Sequence, residues 1–504
     1  MGSFSGHDIH EEGGTCRQFT KAGEPVAGFG ETFGLAYWMD RVVAEMGRVL
    51  GGFDAEAVHD LRVALRRCRS IANVCMTLDS HPAWKNMKKQ ARRIFRKLGD
   101  LRDVQVMRAW ALSFGGQQDP VAEALIEHLK GEEHRLRRRA ARAVREFDLK
   151  HWVRCKERLA ARTMQISIEG PALQHLALER WQEARQLHHR ALRNRSYAAF
   201  HRLRIGLKHF RYTLENFLPQ RHVWWGEDLK LLQDTLGDLH DLHVLWRTAM
   251  RIGALRDLRV RSIWRSSIGA ACQEKLRGYR DRALGNGSVW NTWRAGLPNH
   301  PELREAAEAR ICAWASFRDP DPDQTQRVTR LATRLYDEIE KQGLVTSGGS
   351  VDIRSVLHIA AIMRRIGSKG RGRKSWKAAY RMVRSFAPPI GYPATDLQLA
   401  ALVIRYHRGP FPGPNDTDLA LLSEDQRQSV ILAAALLRLA DSFVPAHGPG
   451  ISDLEVSRTE AAVILSAAGY TEGESVSRRA ASARHPLEIV CGMPVLIRPL
   501  TTQR

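Results

Sequence analysis

The stretch VHDLRVALRRCRSI at residues 58–71 recurs in altered form as FHRLRIGLKHFRYT at residues 200–213. Downstream of the first stretch the chain reads LGDLRDVQV (98–106), and downstream of the second it reads LGDLHDLHV (236–244). Two motifs that recur in the same order at nearly the same separation indicate a duplicated unit of about 140 residues. The basic positions that the two copies share are His59, Arg62, Arg66 and Arg69, aligned with His201, Arg204, Lys208 and Arg211.

The spacing of these four positions places them on one side of a helix. At about 100° per residue, positions 0, +3, +7 and +10 fall within an arc of about 80°. We call the set in the first copy the first stripe and the set in the second copy the second stripe. Adjacent like charges repel by about 0.2–0.5 kcal/mol, so a stripe favours a bound anion such as a chain of phosphates. A solvated helical face is the alternative, but the recurrence and the leading histidines favour an anion site.

Composition narrows the class of partner. The 504 residues include 78 Lys plus Arg and 55 Asp plus Glu, a formal charge of +23, which disfavours a strongly cationic partner and favours a polyanion. The hydrophobic share of 43% argues against a mostly disordered chain. The longest apolar run, at residues 430–437, is far shorter than the roughly 20 residues that span a bilayer. The start, MGSFSGHDIHEEGG, lacks the apolar core of a secretory signal.

The chain divides into two main parts. Most of the excess positive charge lies before residue 300, where nearly every stretch up to residue 284 has helical periodicity. Gly, Asn and Pro punctuate residues 285–301, which predicts a linker there. The later part also opens with helical patterns, but AAVILSAAG and PLEIVCGMPVLIRPL predict a small sheet near its end. We therefore predict a mainly α fold. The seven cysteines are scattered and form no CxxC pair, which indicates a reduced, cytoplasmic protein.

The duplicated blocks resemble the conserved histidine α-helical domain, or CHAD, over residues 37–290. The resemblance implies two helical bundles related by a pseudo-twofold axis, with a basic cavity between them that binds inorganic polyphosphate. Residues 1–36 then form an N-terminal segment and residues 291–301 a linker. His240 stands where the first copy has Arg102, which makes that corner less cationic. The implied phosphate contacts are His59, Arg62, Arg66, Arg69, Lys97 and Arg102 in the first copy, and His201, Arg204, Lys208, Arg211 and Tyr212 in the second.

Further charges surround these motifs. Asp103 and Asp241 follow the two LGDL motifs, and we expect them to orient neighbouring basic side chains. Arg92 and Arg96 form an i,i+4 pair just before the first LGDL motif, either as an extension of the binding surface or as a solvated face. The arginine-rich run at residues 135–145 surrounds most of its helix, which is typical of a solvated face.

Residues 302–504 resemble the C-terminal HD-like domain of the exopolyphosphatase and guanosine pentaphosphate phosphatase family. The resemblance depends on IRYHRG, LLRLADSF and PLEIVCGMPVLIRP in order. An active HD site places a His-Asp pair where this chain has Arg364 and Arg365, and guanidinium cannot ligate a metal. We expect structural roles for His358, His407 and Asp441. The basic stretch predicts a secondary phosphate site, or a loop with no specific task, at Arg364, Arg365, Lys369, Arg371, Arg373, Lys374 and Lys377.

The leading hypothesis is a non-enzymatic polyphosphate-binding protein with no cofactor and no metal, in the cytoplasm or on polyphosphate granules. Enzymes of polyphosphate metabolism are the candidate protein partners, and no membrane partner is expected. One alternative is a phosphohydrolase with metal ligands drawn from His358, His407 and Asp441. The other is non-specific nucleic-acid binding, which the charge permits, although no tryptophans alternate with the stripes to stack on bases. Neither a GxxxxGK[ST] loop nor a GxSxG elbow occurs.

Overall fold

A computed structural model describes residues 34–115, 119–345, 350–367, 375–413, 416–445 and 450–500. The described residues are mainly helical with one small sheet near the C-terminal end, which confirms the predicted fold class. No helix within these ranges is both long and apolar enough to cross a membrane.

The N-terminal part is built from two successive sets of helices. The first set is α1 (Leu35–Gly52), α2 (Ala55–Leu78), α3 (Pro82–Gly115), α4 (Pro120–Arg145) and α5 (Leu149–Thr163). The second set is α6 (Pro171–Asn194), α7 (Tyr197–Phe217), α8 (Pro219–Arg251), α9 (Leu258–Ala283) and α10 (Val289–Ala295). Each stripe therefore lies on the second helix of its set, and each LGDL motif lies on the third.

The two sets repeat the same packing. Helix α1 packs on α2 and α5, as α6 packs on α7 and α10, and α3 packs on α2 and α4, as α8 packs on α7 and α9. The sets meet through equivalent helices, α2 against α7 and α3 against α8. This is the arrangement that a pseudo-twofold axis between two copies produces, and it brings the two stripe helices together.

The stripe helices begin and pack in the same way. Asp54 caps α2 by accepting a hydrogen bond from the Ala57 N–H at 2.7 Å, and Ser196 caps α7 by accepting one from the Ala199 N–H at 3.3 Å. Apolar residues between the stripe positions, such as Leu61 in α2, face inward and are fully buried. Burial of each such leucine stabilises the fold by about 1.5–3 kcal/mol, so a well-packed core fixes each stripe helix. The stripes lie on the polar side of these helices, opposite the core.

The predicted linker is partly helical. Residues 289–295 form α10, and its Trp290 and Trp293 are fully buried in the core of the N-terminal part. The chain then continues into α11 (Glu302–Ser316), which packs against α6 and α2. Arg310 on α11 donates to Glu179 on α6 at 3.3 Å. The two parts of the chain are therefore in direct contact.

The C-terminal part is a second helical unit with its own core. It continues with α12 (Pro322–Lys341), α13 (Ile353–Met363), α14 (Ser375–Arg384), α15 (Ala394–Arg408), α16 (Glu424–Phe443), β1 (Leu454–Arg458), β2 (Val463–Ala467), α17 (Ser475–Ala483), α18 (His485–Cys491) and β3 (Val495–Pro499). Strand β2 pairs antiparallel with β1 and parallel with β3. The predicted sheet is present, but the PLEIVC segment forms α18, because Pro486 suits a first helical turn and Gly492, with φ of 66°, ends the helix.

Candidate functional site

The two stripes converge where α2 crosses α7. The Arg67 guanidinium of α2 pairs with Glu215 of α7 at 2.6 Å, and both side chains are largely buried. The Asn216 side-chain amide donates to the Ser70 hydroxyl at 3.0 Å. These contacts hold the helices together at one edge and leave the stripe cations facing each other at the other.

The contacts of Arg66 show that the two stripes share one groove. The Arg66 guanidinium lies 5.7 Å from the ring centre of Tyr212, which belongs to α7. Arg66 is also close enough to Lys208 to lower the pKa of that amine electrostatically. Because Arg66 and Lys208 occupy equivalent stripe positions, the pseudo-twofold axis passes between them. We call the space lined by the two stripes the central groove.

Phe95 of α3 supports two cations of the first stripe. The guanidinium of Arg69 lies 4.4 Å from the Phe95 ring centre and that of Arg62 lies 5.2 Å from it. Cation–π contacts of this kind hold a guanidinium in place without neutralising it. The arginines are therefore oriented by the protein and still free to bind an anion.

Donor nitrogens of the stripes are buried without partners. Among the described residues, no stripe cation makes an ion pair with a carboxylate within 4 Å. A buried N–H that lacks a partner costs about 1–3 kcal/mol, and more when the group is charged. The groove thus holds a set of donors that an anion would satisfy. The unpartnered atoms are Nη1 of Arg62 and the Nε atoms of Arg66, Arg69, Arg204 and Arg211.

Two carboxylates sit among these cations but do not cancel them. Asp103 and Asp241, equivalent positions of the two LGDL motifs, each lie within electrostatic range of Arg204 and Lys208. Burial raises the pKa of Asp241 to about 6, and neighbouring Asp103 adds to the rise. Burial, together with Arg204 and Arg66, lowers the pKa of Lys208 to about 8. The lowered pKa of Lys208, to which Arg204 and Arg66 contribute, shows that positive charges are crowded together here.

The glycine of the first LGDL motif makes room for a stripe arginine. A Cβ at Gly99 would lie 3.3 Å from Nη1 of Arg62, which is a tight contact. A Cβ at Gly237 would lie 3.9 Å from two nitrogens of Arg204, which is an ordinary contact. Glycine inside a helix costs about 0.8–1.0 kcal/mol relative to alanine, and at Gly99 the close approach of Arg62 gives a reason for it. This role of Gly99 was not predicted from the sequence.

The second copy adds an aromatic cluster that sequence reasoning missed. The Tyr197 ring stacks on His243 with centroids 3.7 Å apart, and its hydroxyl lies 2.5 Å from Nδ1 of His240. The rings of His201 and His240 are 5.0 Å apart. Burial and the nearby Arg204 lower the pKa of His240 to about 4, so the His240 ring is uncharged at neutral pH.

The remaining predicted contacts lie at the edges of the groove. His59 is exposed near the start of α2 and makes no ring contact or hydrogen bond within the described part of the chain, so it does not meet His201. Arg102 is exposed on α3 and lies within electrostatic range of Arg62. Lys97 is partly exposed on the same helix. Arg211 donates to the Gln233 side chain at 3.2 Å, at the far end of the second stripe.

Arg364 does not fit the predicted secondary phosphate site. This side chain is fully buried, and it donates to Asp441 at 3.3 Å, to Thr325 at 3.2 Å and to the Ala361 carbonyl at 2.7 Å. It is a structural cation inside the core, because the C-terminal end of α13 points inward. The direction of this helix end could not be predicted from the sequence. Arg365 pairs with Asp321 at 3.4 Å, and the Lys377 amine lies 5.4 Å from the Trp376 ring centre. The other predicted members, Lys369, Arg371, Arg373 and Lys374, lie outside the described residues.

The three candidate metal ligands do not form one group. His407 and Asp441 lie near each other, and burial lowers the pKa of His407 to about 3. Arg364 and Arg408 both pair with Asp441 and hold the pKa of that carboxyl well below its usual range. His358 lines a separate cavity of about 630 Å³ between α11, α12 and α13. Within the described ranges, no cluster of three or more His, Cys, Asp or Glu side chains is placed to hold a metal ion.

Comparisons with known proteins agree with the geometry of the N-terminal part. The family profile described as CHAD domain matches residues 35–250, so this part of the chain carries a CHAD domain. CHAD domains are linked to polyphosphate binding. A search of curated proteins gave no match to the chain. The HD-like character of the C-terminal part stays a prediction.

A pair of substitutions distinguishes a structural Arg364 from a ligand-binding one. We expect Arg364→Met to lower the free energy of unfolding by about 3 kcal/mol, because it leaves Asp441 in the core with one of its two cations removed. Arg365→Met should cost less than about 1 kcal/mol, because the Asp321 side chain is 40% exposed. Urea unfolding of both variants measures the difference, and equal small losses would contradict the assignment.

Proposed function

We propose that this protein binds inorganic polyphosphate in the central groove between α2 and α7. The observation that carries the proposal is the set of buried guanidinium nitrogens, on both stripes, that lack any partner. Arginine forms strong, often bidentate hydrogen bonds with phosphate oxygens, so a phosphate chain would satisfy these donors and offset the clustered charge.

The extent of the groove favours a polymer over a single anion. The three cations of each stripe span about 10 Å along their helix, at about 1.5 Å per residue. One phosphate ion cannot reach both ends of such a row, whereas a linear chain can contact successive cations on both helices. The duplication then doubles the number of contacts available to each bound chain.

Nucleic acid fits the groove less well. Base stacking needs aromatic faces that are open to the ligand. Here the Phe95 ring is covered by Arg62 and Arg69, the Tyr212 ring by Arg66, and the Tyr197 ring by His243. We therefore infer that nucleic acid would bind only through non-specific contacts with its phosphates.

We further propose that the protein is not an enzyme. Support comes from the core of the C-terminal part, where the buried Arg364 guanidinium occupies the space beside Asp441 and His407. A guanidinium has no lone pair for a metal and brings its own positive charge to these groups. The C-terminal part would then contribute a docking surface, with polyphosphate granules as the location and polyphosphate-metabolising enzymes as candidate partners.

Removal of charge from the central groove tests the proposal. In a variant with Arg62, Arg66, Arg204 and Lys208 changed to glutamine, we expect affinity for long-chain polyphosphate to fall by at least about a hundredfold, because each charge-assisted hydrogen bond contributes about 1.5–3 kcal/mol. The control changes four exposed arginines, Arg139, Arg142, Arg259 and Arg265, to glutamine on the equivalent helices α4 and α9. Isothermal titration calorimetry measures binding, and circular dichroism checks that both variants are folded.

The control separates a site from a general attraction. Both variants lose the same formal charge, so equal losses of affinity would contradict a dedicated groove. Competition adds a second criterion, in which unlabelled long-chain polyphosphate should displace a labelled chain far better than duplex DNA of equal phosphate content. Equal displacement by DNA would count against the proposal in the same way.

The groove also predicts how binding depends on pH. A bound polyanion favours protonated histidine and should raise the pKa of His240, which is about 4 in the free protein. Asp241 loses its negative charge as pH falls through about 6, and Lys208 loses its positive charge as pH rises through about 8. The effects of Asp241 and Lys208 have the same sign, so affinity should increase as the pH is lowered from about 8 to about 6.

The substitution Asp241→Asn isolates one of these groups. It should raise affinity at neutral pH and flatten the pH profile on its acid side, because the carboxylate no longer repels phosphate. Asp228→Asn on the same helix removes a carboxylate that pairs with Arg282 at 3.0 Å outside the groove, and it should leave the profile unchanged. A wild-type affinity that is constant across this pH range would rule out the electrostatics described above.

A further inference from the structure

A cavity of about 420 Å³ opens at one end of the central groove. It lies where α2, α3, α6 and α7 meet, and its size is within the range of about 300–1,000 Å³ that is usual for ligand pockets. The residues on which the inference depends are Arg69, Lys88, Arg92, Arg180, His209 and Tyr212. We call this cavity the side pocket.

The side pocket is basic, and most of its charge is not neutralised. Within the described part of the chain, Arg69, Lys88 and Arg92 make no ion pair, and Nε of Arg69 is buried without a partner. Arg180 pairs with the half-exposed Glu183 at 2.9 Å. Burial lowers the pKa of Lys88, and the neighbouring Arg69 and Arg92 lower it further. The side pocket therefore combines partial burial of Lys88 with several like charges held close together.

The duplication supplies an internal comparison. By the register of the stripes and of the LGDL motifs, Arg69 corresponds to Arg211, Arg92 to Lys230 and Lys88 to Gly226. Arg211, unlike Arg69, already donates to a side chain, that of Gln233. The position of Lys88 is thus occupied by a glycine on the equivalent side, whereas that of Arg92 keeps a basic residue.

The equivalent side is also filled and neutralised. Arg67 there stacks 5.2 Å from the ring centre of Trp38 and pairs with Glu215 at 2.6 Å. On the side of the pocket, Arg180 stands in place of Trp38 and Asn73 in place of Glu215. The pocket side is therefore lined by cations, whereas on the equivalent side Trp38 and Glu215 stand beside Arg67.

We propose that the side pocket binds a short run of phosphates, as a tri- or tetraphosphate group. This inference depends on the proposed function, because Arg69 and Tyr212 belong both to the pocket and to the row of groups that lines the central groove. Cations from three helices surround one small volume, which suits a compact group with several negative charges better than a single carboxylate.

Two parts of a polymer could supply such a group, the end of the chain or an internal segment that leaves the groove. Both present the same chain of phosphate oxygens to Lys88 and Arg92. A polymer whose two terminal phosphates are blocked as esters distinguishes a chain end from an internal segment. Weaker binding of the blocked polymer would assign the pocket to the chain end, and unchanged binding would assign it to an internal segment.

The test uses the full chain and sodium tripolyphosphate. We expect Lys88→Gln and Arg92→Gln each to weaken tripolyphosphate binding by about tenfold, because each removes one charge-assisted hydrogen bond. Binding of long-chain polyphosphate should weaken less, since the stripes retain their contacts. The matched control is Lys230→Gln at the position equivalent to Arg92, where the side chain is exposed and the same charge is lost. It should change tripolyphosphate affinity by less than about twofold, as expected of a screened surface charge.

A local signal locates the ligand. Burial and the nearby Arg180 lower the pKa of His209, and tripolyphosphate in the pocket should raise it, which NMR of the histidine ring carbons measures with His209→Gln for assignment. Equal effects of Arg92→Gln and Lys230→Gln, or an unmoved His209 signal at saturation, would overturn the inference. If instead the variant that lacks the four groove charges keeps its affinity for long chains, the proposed function fails, whatever the side pocket does.

Discussion

The structure depends on one constraint, which is that two rows of positive side chains are held together with no carboxylate of the described residues in an ion pair with them. Hydrophobic burial on one side of α2 and α7 fixes the helices, and the contact between Arg67 and Glu215 fixes their crossing. The stripes must then face a common space. These charges repel each other, so they stay close together only because packing in the rest of the fold stabilises the structure. A bound anion relieves the repulsion.

Duplication explains both the symmetry of the groove and its departures. Equivalent helices, α2 and α7, carry equivalent stripes, so each half contributes a row of three cations. The two ends of the groove differ. The second copy replaces a permanent cation with the neutral His240 cluster, and the first copy keeps an open basic cavity beside Arg69. A symmetrical core thus has chemically different ends.

Helical periodicity and the recurrence of motifs were sufficient to predict the fold class and the helix that carries each stripe. The burial of Arg364 could not be predicted in this way. A cation at a helix end has the same sequence pattern whether its side chain lies in solvent or contacts a distant partner such as Asp441. Similarly, β-branched residues in PLEIVC favoured a strand, while the proline and the following glycine decided for a helix. The surroundings of His201 also could not be predicted, since its ring contacts come from Tyr197 and His240 through tertiary packing.

The most direct test is a structure of the protein with a polyphosphate chain of defined length. The account predicts successive phosphates between α2 and α7, with oxygens within hydrogen-bond distance of the guanidinium groups of Arg62, Arg66 and Arg204. It also predicts that the two stripes contact the same chain. Phosphates found only on the outer face of α3, at Arg93 and Arg96, with the stripe nitrogens still unpartnered, would contradict it.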